Sequence, residues 1–127
     1  MPTIYVSRNG SSTQLKLRDS EGHNPGNDDL TTTVSPGDTV TWMLDPNGTN
    51  GLVSLNAVNK TVPGDASYDP NSVDLLVSGT TNNNGVYTGT VVPVSPGNGK
   101  YEKYKIGFMV PGSSTIYFDD PKLQMDA

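Results

Sequence analysis

Apolar and polar residues alternate with a period of two along most of this chain, the spacing of strands that turn one face to a core and the other to solvent. In residues 39–44, Val40, Trp42 and Leu44 fall on one side and Thr39 and Thr41 on the other. In residues 101–110, Tyr104, Ile106, Phe108 and Val110 alternate with Lys103, Lys105 and Gly107. A slip of one residue would expose either inner set, so both registers are strongly specified. The same pattern predicts strands over residues 3–8, 13–18, 30–34, 39–44, 52–59, 73–78, 86–94, 101–110, 115–118 and 122–125.

Turn signals separate these segments. Asn-Gly pairs stand at 9–10, 47–48, 50–51, 84–85 and 98–99, and Pro-Gly pairs at 25–26, 36–37, 63–64, 96–97 and 111–112. Asparagine and glycine tolerate positive φ and proline presets the first turn position, so each pair reverses the chain at little cost. No window long enough for a helix survives between them. Short strands with a turn about every ten residues predict an all-β domain, a two-sheet sandwich or a barrel.

Residues 30–42, LTTTVSPGDTVTW, and the closing segments around Tyr101–Ile106, Ile116–Phe118 and Asp120–Met125 resemble the early strand pair and the last strands of cupredoxins. The resemblance implies an antiparallel Greek-key β-sandwich of about this size, cupredoxin-like or immunoglobulin-like. It does not bring the family's chemistry with it. A blue-copper site needs a Cys thiolate and two His nitrogens. The loop after Trp42 has no His, and residues 101–112 have neither Cys nor His. The chain is expected to be copper-free.

At 127 residues, with no linker-like tract, the sequence reads as a single domain over 1–127. A net charge of −5 with 8 basic residues argues against binding a phosphate backbone. The row Lys100, Lys103 and Lys105 reads instead as a device that blunts an edge strand. No run of eighteen apolar residues is present to span a membrane. Residues 1–8 enter strand pattern without the layout of a signal peptide, so a cytoplasmic location is expected. Zero cysteines exclude disulfides, thiol nucleophiles and Cys-ligated metals. The triplets beginning at Asn9, Asn47 and Asn59 match the glycosylation pattern, as chance provides in a chain so rich in Asn, Ser and Thr.

Candidate chemistry is sparse. His23 is the single histidine, with Asp19 and Glu21 in the same turn-rich stretch; it reads as a solvated loop residue, and no Gly-x-Ser-x-Gly elbow accompanies it. Asp65, Asp69 and Asp74 form the most acidic loop, followed by Asp45 with Asn47. Calcium takes six to eight oxygens, so such loops fit that ion, although none has the spacing of a calcium-binding loop. Tyr68, Tyr87 and Tyr101 lie outside the inward sets, and an exposed tyrosine stacks well on a sugar ring. The expected function is a non-catalytic binding or structural and assembly module that uses no cofactor and binds a protein or carbohydrate, not nucleic acid or membrane. The alternative is a calcium-assisted carbohydrate-binding module built on Asp65, Asp69 and Asp74 with Tyr68, Tyr87 and Tyr101.

Overall fold

A two-residue period can bury its apolar side only if a second layer covers it, and two layers form here. The computed structural model describes residues 1–52 and 54–126; among them there are ten strands and no helix. They are β1 (Thr3–Arg8), β2 (Leu15–Asp19), β3 (Thr31–Val34), β4 (Thr39–Leu44), β5 (Ser54–Lys60), β6 (Leu76–Asn83), β7 (Val86–Val91), β8 (Tyr101–Met109), β9 (Tyr117–Asp119) and β10 (Lys122–Met125). Val53, which the pattern placed inside the fifth strand, lies outside the described residues.

One sheet has the order β2-β1-β4-β7-β6 and the other β3-β10-β8-β5, with β9 also paired to β8. The chain passes repeatedly between the layers. β9 and β10 share one edge of β8 in one continuous register, Phe118 opposite Gly107 and Leu123 opposite Glu102, with the break at Asp120 and Pro121. The expectation of purely antiparallel sheets is corrected. β1 runs parallel to β4, and β3 runs parallel to β10. β2 already occupies one side of β1, and the excursion through β3 in the other layer returns β4 in the same direction as β1.

The core follows the alternation: Val40, Trp42, Tyr104, Ile106, Phe108 and Val110 are all buried, joined by Ile4, Val6, Leu15, Leu17, Leu123 and Met125, while Leu44 is only half-buried and packs against this set. Asn84 and Gly85 both have positive φ, the two-residue turn whose twist suits the β6–β7 hairpin. β8 is not an edge. It pairs with β5 on one side and with β9 and β10 on the other, so Lys103 and Lys105 lie on the solvent face of a central strand, with Lys100 in the turn before it. Lys105 is paired there with Asp65 at 3.2 Å and Lys103 reaches Asp120 at 4.0 Å.

The two seams of the sandwich differ. Along β2, the outward N–H groups of Leu15, Leu17 and Asp19 donate to the Asp119 carboxylate and to the carbonyls of Asn27 and His23, at 2.6, 3.0 and 3.1 Å. That edge is covered by its own loop. Across the β5–β6 seam, Thr80 Oγ1 donates to the Val58 carbonyl at 2.6 Å, and a cleft lies beside that bond. No described helix is long and apolar enough to cross a membrane.

Candidate functional site

The acidic loop between β5 and β6 is spent on the strands beneath it. Asp65 accepts the Val62 N–H at 2.8 Å and the Lys105 ammonium at 3.2 Å, and these two bonds hold its carboxyl below the usual range. Asp69 accepts the Tyr101 hydroxyl and the Asn71 N–H, which lower it likewise and raise the Tyr101 phenol in return. Asp74 faces Lys60 at 3.3 Å. The three carboxylates expected to share an ion therefore have three separate partners and do not converge. Asp45 and Asn47 form a turn: Asp45 accepts the Asn47 N–H at 2.9 Å and a two-pronged bond from Arg18 at 2.8 Å.

Of the expected stacking tyrosines, Tyr68 is 39% exposed, whereas Tyr87 is 6% exposed. Tyr87 sits opposite Trp42 in the β4–β7 register, on the inner face, and has no face left for a ligand. Tyr101 is half-buried, with its hydroxyl on Asp69 and the Lys122 ammonium 5.0 Å from its ring centre.

Two groups of acids do converge among the described residues, with donor atoms within 4.8 Å of one another: Asp19, Glu21 and His23, and Asp28, Asp119 and Asp120. The first is a loop lock. Buried Asp19 accepts the N–H groups of Glu21 and His23, the Thr32 hydroxyl of the other layer at 2.7 Å, and His23 Nδ1 at 2.9 Å. The second closes the β2 seam through Asp119 and Leu15. Burial, with the neighbouring charges of Asp28 and Asp120, pushes the Asp119 carboxyl up to about 7 against the bond from Leu15.

The cleft at the other seam has a volume of about 360 Å³. Its walls are Val58, Asn59 and Lys60 of β5 and Leu76, Ser78, Gly79 and Thr80 of β6, with Asp74 beside Lys60 and with Glu102 and Tyr104 of β8 completing it. β8 delivers Glu102 and Tyr104 because they are two residues apart on its inner face. Glu102 is 4% exposed and accepts the Leu75 N–H at 2.6 Å. Burial raises its carboxyl above the ordinary range, Asp74 adds to the rise, and Lys60 and the backbone bonds oppose it. Burial raises the Tyr104 phenol as well, and its oxygen accepts the Trp42 Nε1–H at 3.0 Å.

Sequence reasoning took Tyr104 for core and passed over Glu102. The available signal was its position: a carboxylate in the inward set of the most strongly patterned strand. The site offers an apolar wall, one buried acid and a rim ion pair, which suits binding.

On the outer face of the second sheet, Phe118 is 50% exposed and lies against Gly107, the residue it opposes on β8. Ile116, 44% exposed, touches the same glycine position. Comparison with known protein families and with curated proteins gives no match, so the function is argued from this geometry.

Proposed function

We propose that this chain is a non-catalytic β-sandwich binding module that takes a small ligand into the cleft between β5 and β6. The observation that carries this reading is a contrast. The acids that stand out in the sequence, Asp65, Asp69 and Asp74, each have a separate partner and do not converge, whereas the cleft is concave, has Leu76 on its wall over buried Val58 and Tyr104, and holds one buried carboxyl, Glu102. His23 is held to Asp19 on a loop outside the cleft, which argues against general-base chemistry there. The reading keeps a cupredoxin-like Greek-key topology, supported by residues 30–42 supplying β3 and β4 to opposite layers.

The test is a thermal-shift screen of small molecules on the wild type and on Asn59→Tyr, which puts a ring on the cleft rim. Ligands that raise the wild-type midpoint are expected to lose their effect in the variant, because a ligand that binds only the native state must stabilise it. Ligands indifferent to Asn59→Tyr would overturn the reading. So would turnover of esterase, glycosidase or phosphatase substrates that disappears in His23→Ala or Glu102→Gln.

A second reading, a carbohydrate-binding module, is favoured by one observation: Phe118 is half-exposed on a sheet face beside Asp65, Lys105 and Asp120. Sugar binding lost in Phe118→Ala and kept in Asn59→Tyr would select it. Calcium assistance from Asp65, Asp69 and Asp74 requires those acids to leave Lys105, Tyr101 and Lys60.

A further inference from the structure

The charges that line the β5–β6 cleft are unevenly arranged. Lys60 and Asp74 pair at its mouth, 57% and 66% exposed, where water screens them. Glu102 is at the inner end, 4% exposed, and no lysine or arginine of the cleft other than Lys60 is present to meet it. A buried carboxylate without a counter-charge is costly, and a cation brought to it is favoured by charge and by hydrogen bonding.

Glu102 has acceptor capacity to spare. A carboxylate offers about four lone-pair sites. The Leu75 N–H occupies one at Oε1, and the Leu76 N–H adds a weaker contribution. Beside it, Leu76 and the hydrocarbon stem of Lys60 present apolar surface suited to a short hydrocarbon chain, backed by buried Val58 and Tyr104. The whole chain carries −5, which draws cations toward it and repels anions.

We propose that the cleft selects a small organic cation, a primary ammonium on a short hydrocarbon body, with the charge against Glu102 and the body along Leu76, over buried Val58 and Tyr104. This inference rests on the reading of the cleft as the binding site and adds the chemistry of what enters it. An anionic ligand meets Glu102 and Asp74, and a neutral one gains no charge pairing. The elevated Glu102 carboxyl agrees with this assignment, since a bound cation restores the ionised form that burial disfavours.

The experiment titrates n-pentylammonium, 1-pentanol and pentanoate and follows the fluorescence of Trp42, the single tryptophan, whose Nε1–H is bonded to Tyr104 at the cleft wall. The ammonium is expected to bind about tenfold more tightly than the alcohol, and pentanoate no better than the alcohol. Glu102→Gln keeps an oxygen for the Leu75 N–H and is expected to bring the ammonium down to the alcohol. Asp74→Asn tests whether the cation sits at the rim instead and is expected to keep most of the preference, while Asp29→Asn, an exposed position outside the cleft, is expected to keep all of it and shows that the fluorescence responds in a folded variant.

Absence of any response to pentylammonium overturns the inference, and so does a preference that survives Glu102→Gln. Loss of the preference in Asp74→Asn alone overturns it too, by placing the cation at the rim. Equal binding of alcohol and ammonium overturns the charge assignment while leaving the cleft as the binding site, which separates this failure from failure of the broader reading.

Discussion

Trp42 on β4 donates its indole N–H to the Tyr104 hydroxyl on β8 at 3.0 Å, and the two rings meet edge to face with centres 5.5 Å apart. One bond and one ring contact thus tie the middle of one sheet to the middle of the other, with both side chains at most 1% exposed. Removing the acceptor while keeping the ring leaves a buried N–H unsatisfied. Tyr104→Phe is therefore expected to cost about 1–3 kcal/mol. Urea unfolding followed by far-ultraviolet circular dichroism, a probe that every variant of the cycle keeps, measures it. The cost is expected to shrink in a Trp42→Phe background, where no donor is left stranded.

A second relationship supports the outer face. A Cβ at Gly107 would come within 2.9 Å of Phe118 Cε1 and 3.3 Å of Ala57 Cβ. Phe118 therefore covers a glycine on the strand it pairs with. Gly107→Ala is expected to cost about 1–3 kcal/mol through overpacking. The cost is expected to fall in a Phe118→Ala background and to persist in part because of Ala57. Denaturant midpoints of the four proteins in that cycle decide the matter.

Asp119 makes the pH dependence specific. Its folded-state value of about 7 lies above that of an unfolded aspartate, so the folded chain holds an extra proton. The stabilisation is fully present below about pH 4 and is lost as pH rises through about 7. After allowance for solvent screening, the loss is about 1–2 kcal/mol. Asp119→Asn retains an acceptor for the Leu15 N–H and removes the charge facing Asp28 and Asp120. It is expected to flatten the decline between about pH 4 and 7 and to be more stable than the wild type above about pH 7. Denaturation curves of both proteins across that range provide the check.

Asp45 behaves in the opposite sense. The bond from Arg18, aided by the Asn47 N–H, keeps its carboxyl low, so its contribution is present above the unfolded value and is lost as pH falls. Arg18→Lys gives up the two-pronged geometry and the stacking of the guanidinium 4.1 Å from the Tyr5 ring centre. It is expected to cost about 1 kcal/mol at neutral pH and less in acid. Thermal or urea midpoints at the two pH values test this.

Calcium is expected to leave the melting midpoint unmoved, and EDTA likewise, because Asp65, Asp69 and Asp74 are committed to separate partners. A calcium-dependent rise that disappears in Asp69→Asn would show that the loop rearranges around the ion, and one that disappears in Asp120→Asn would place the ion on the Asp28, Asp119 and Asp120 group instead.

Much of the fold was legible because its causes are local. All ten turn glycines flagged by Asn-Gly and Pro-Gly pairs have positive φ, and ten strands fall where alternation placed them. Boundaries moved where tertiary bonds took over. Residues 73–75, read as strand, instead run beside β8, where the Val73 and Leu75 N–H groups meet the Tyr101 carbonyl and Glu102. The polar stretch of residues 79–83, which lacks apolar alternation, pairs with β7 through the hairpin. Parallel pairing was hidden because periodicity says which way a side chain faces and not which strand lies beside it. The lysine row was misread for the same reason. The site was less legible than the fold. The acids that stood out in sequence, Asp65, Asp69 and Asp74, are engaged by lysines or a tyrosine hydroxyl up to 40 positions away. Glu102, which lines the cleft, is a single carboxylate in an apolar strand.

The most direct measurement is an amide chemical-shift map, recorded with a ligand that raises the wild-type melting midpoint. Shifts confined to residues 58–60, 76–80 and 102–104, with the β2 edge and Phe118 undisturbed, are the predicted result. Shifts centred on Phe118, Lys105 and Asp120, or on the Asp19 and Asp119 seam, would contradict it.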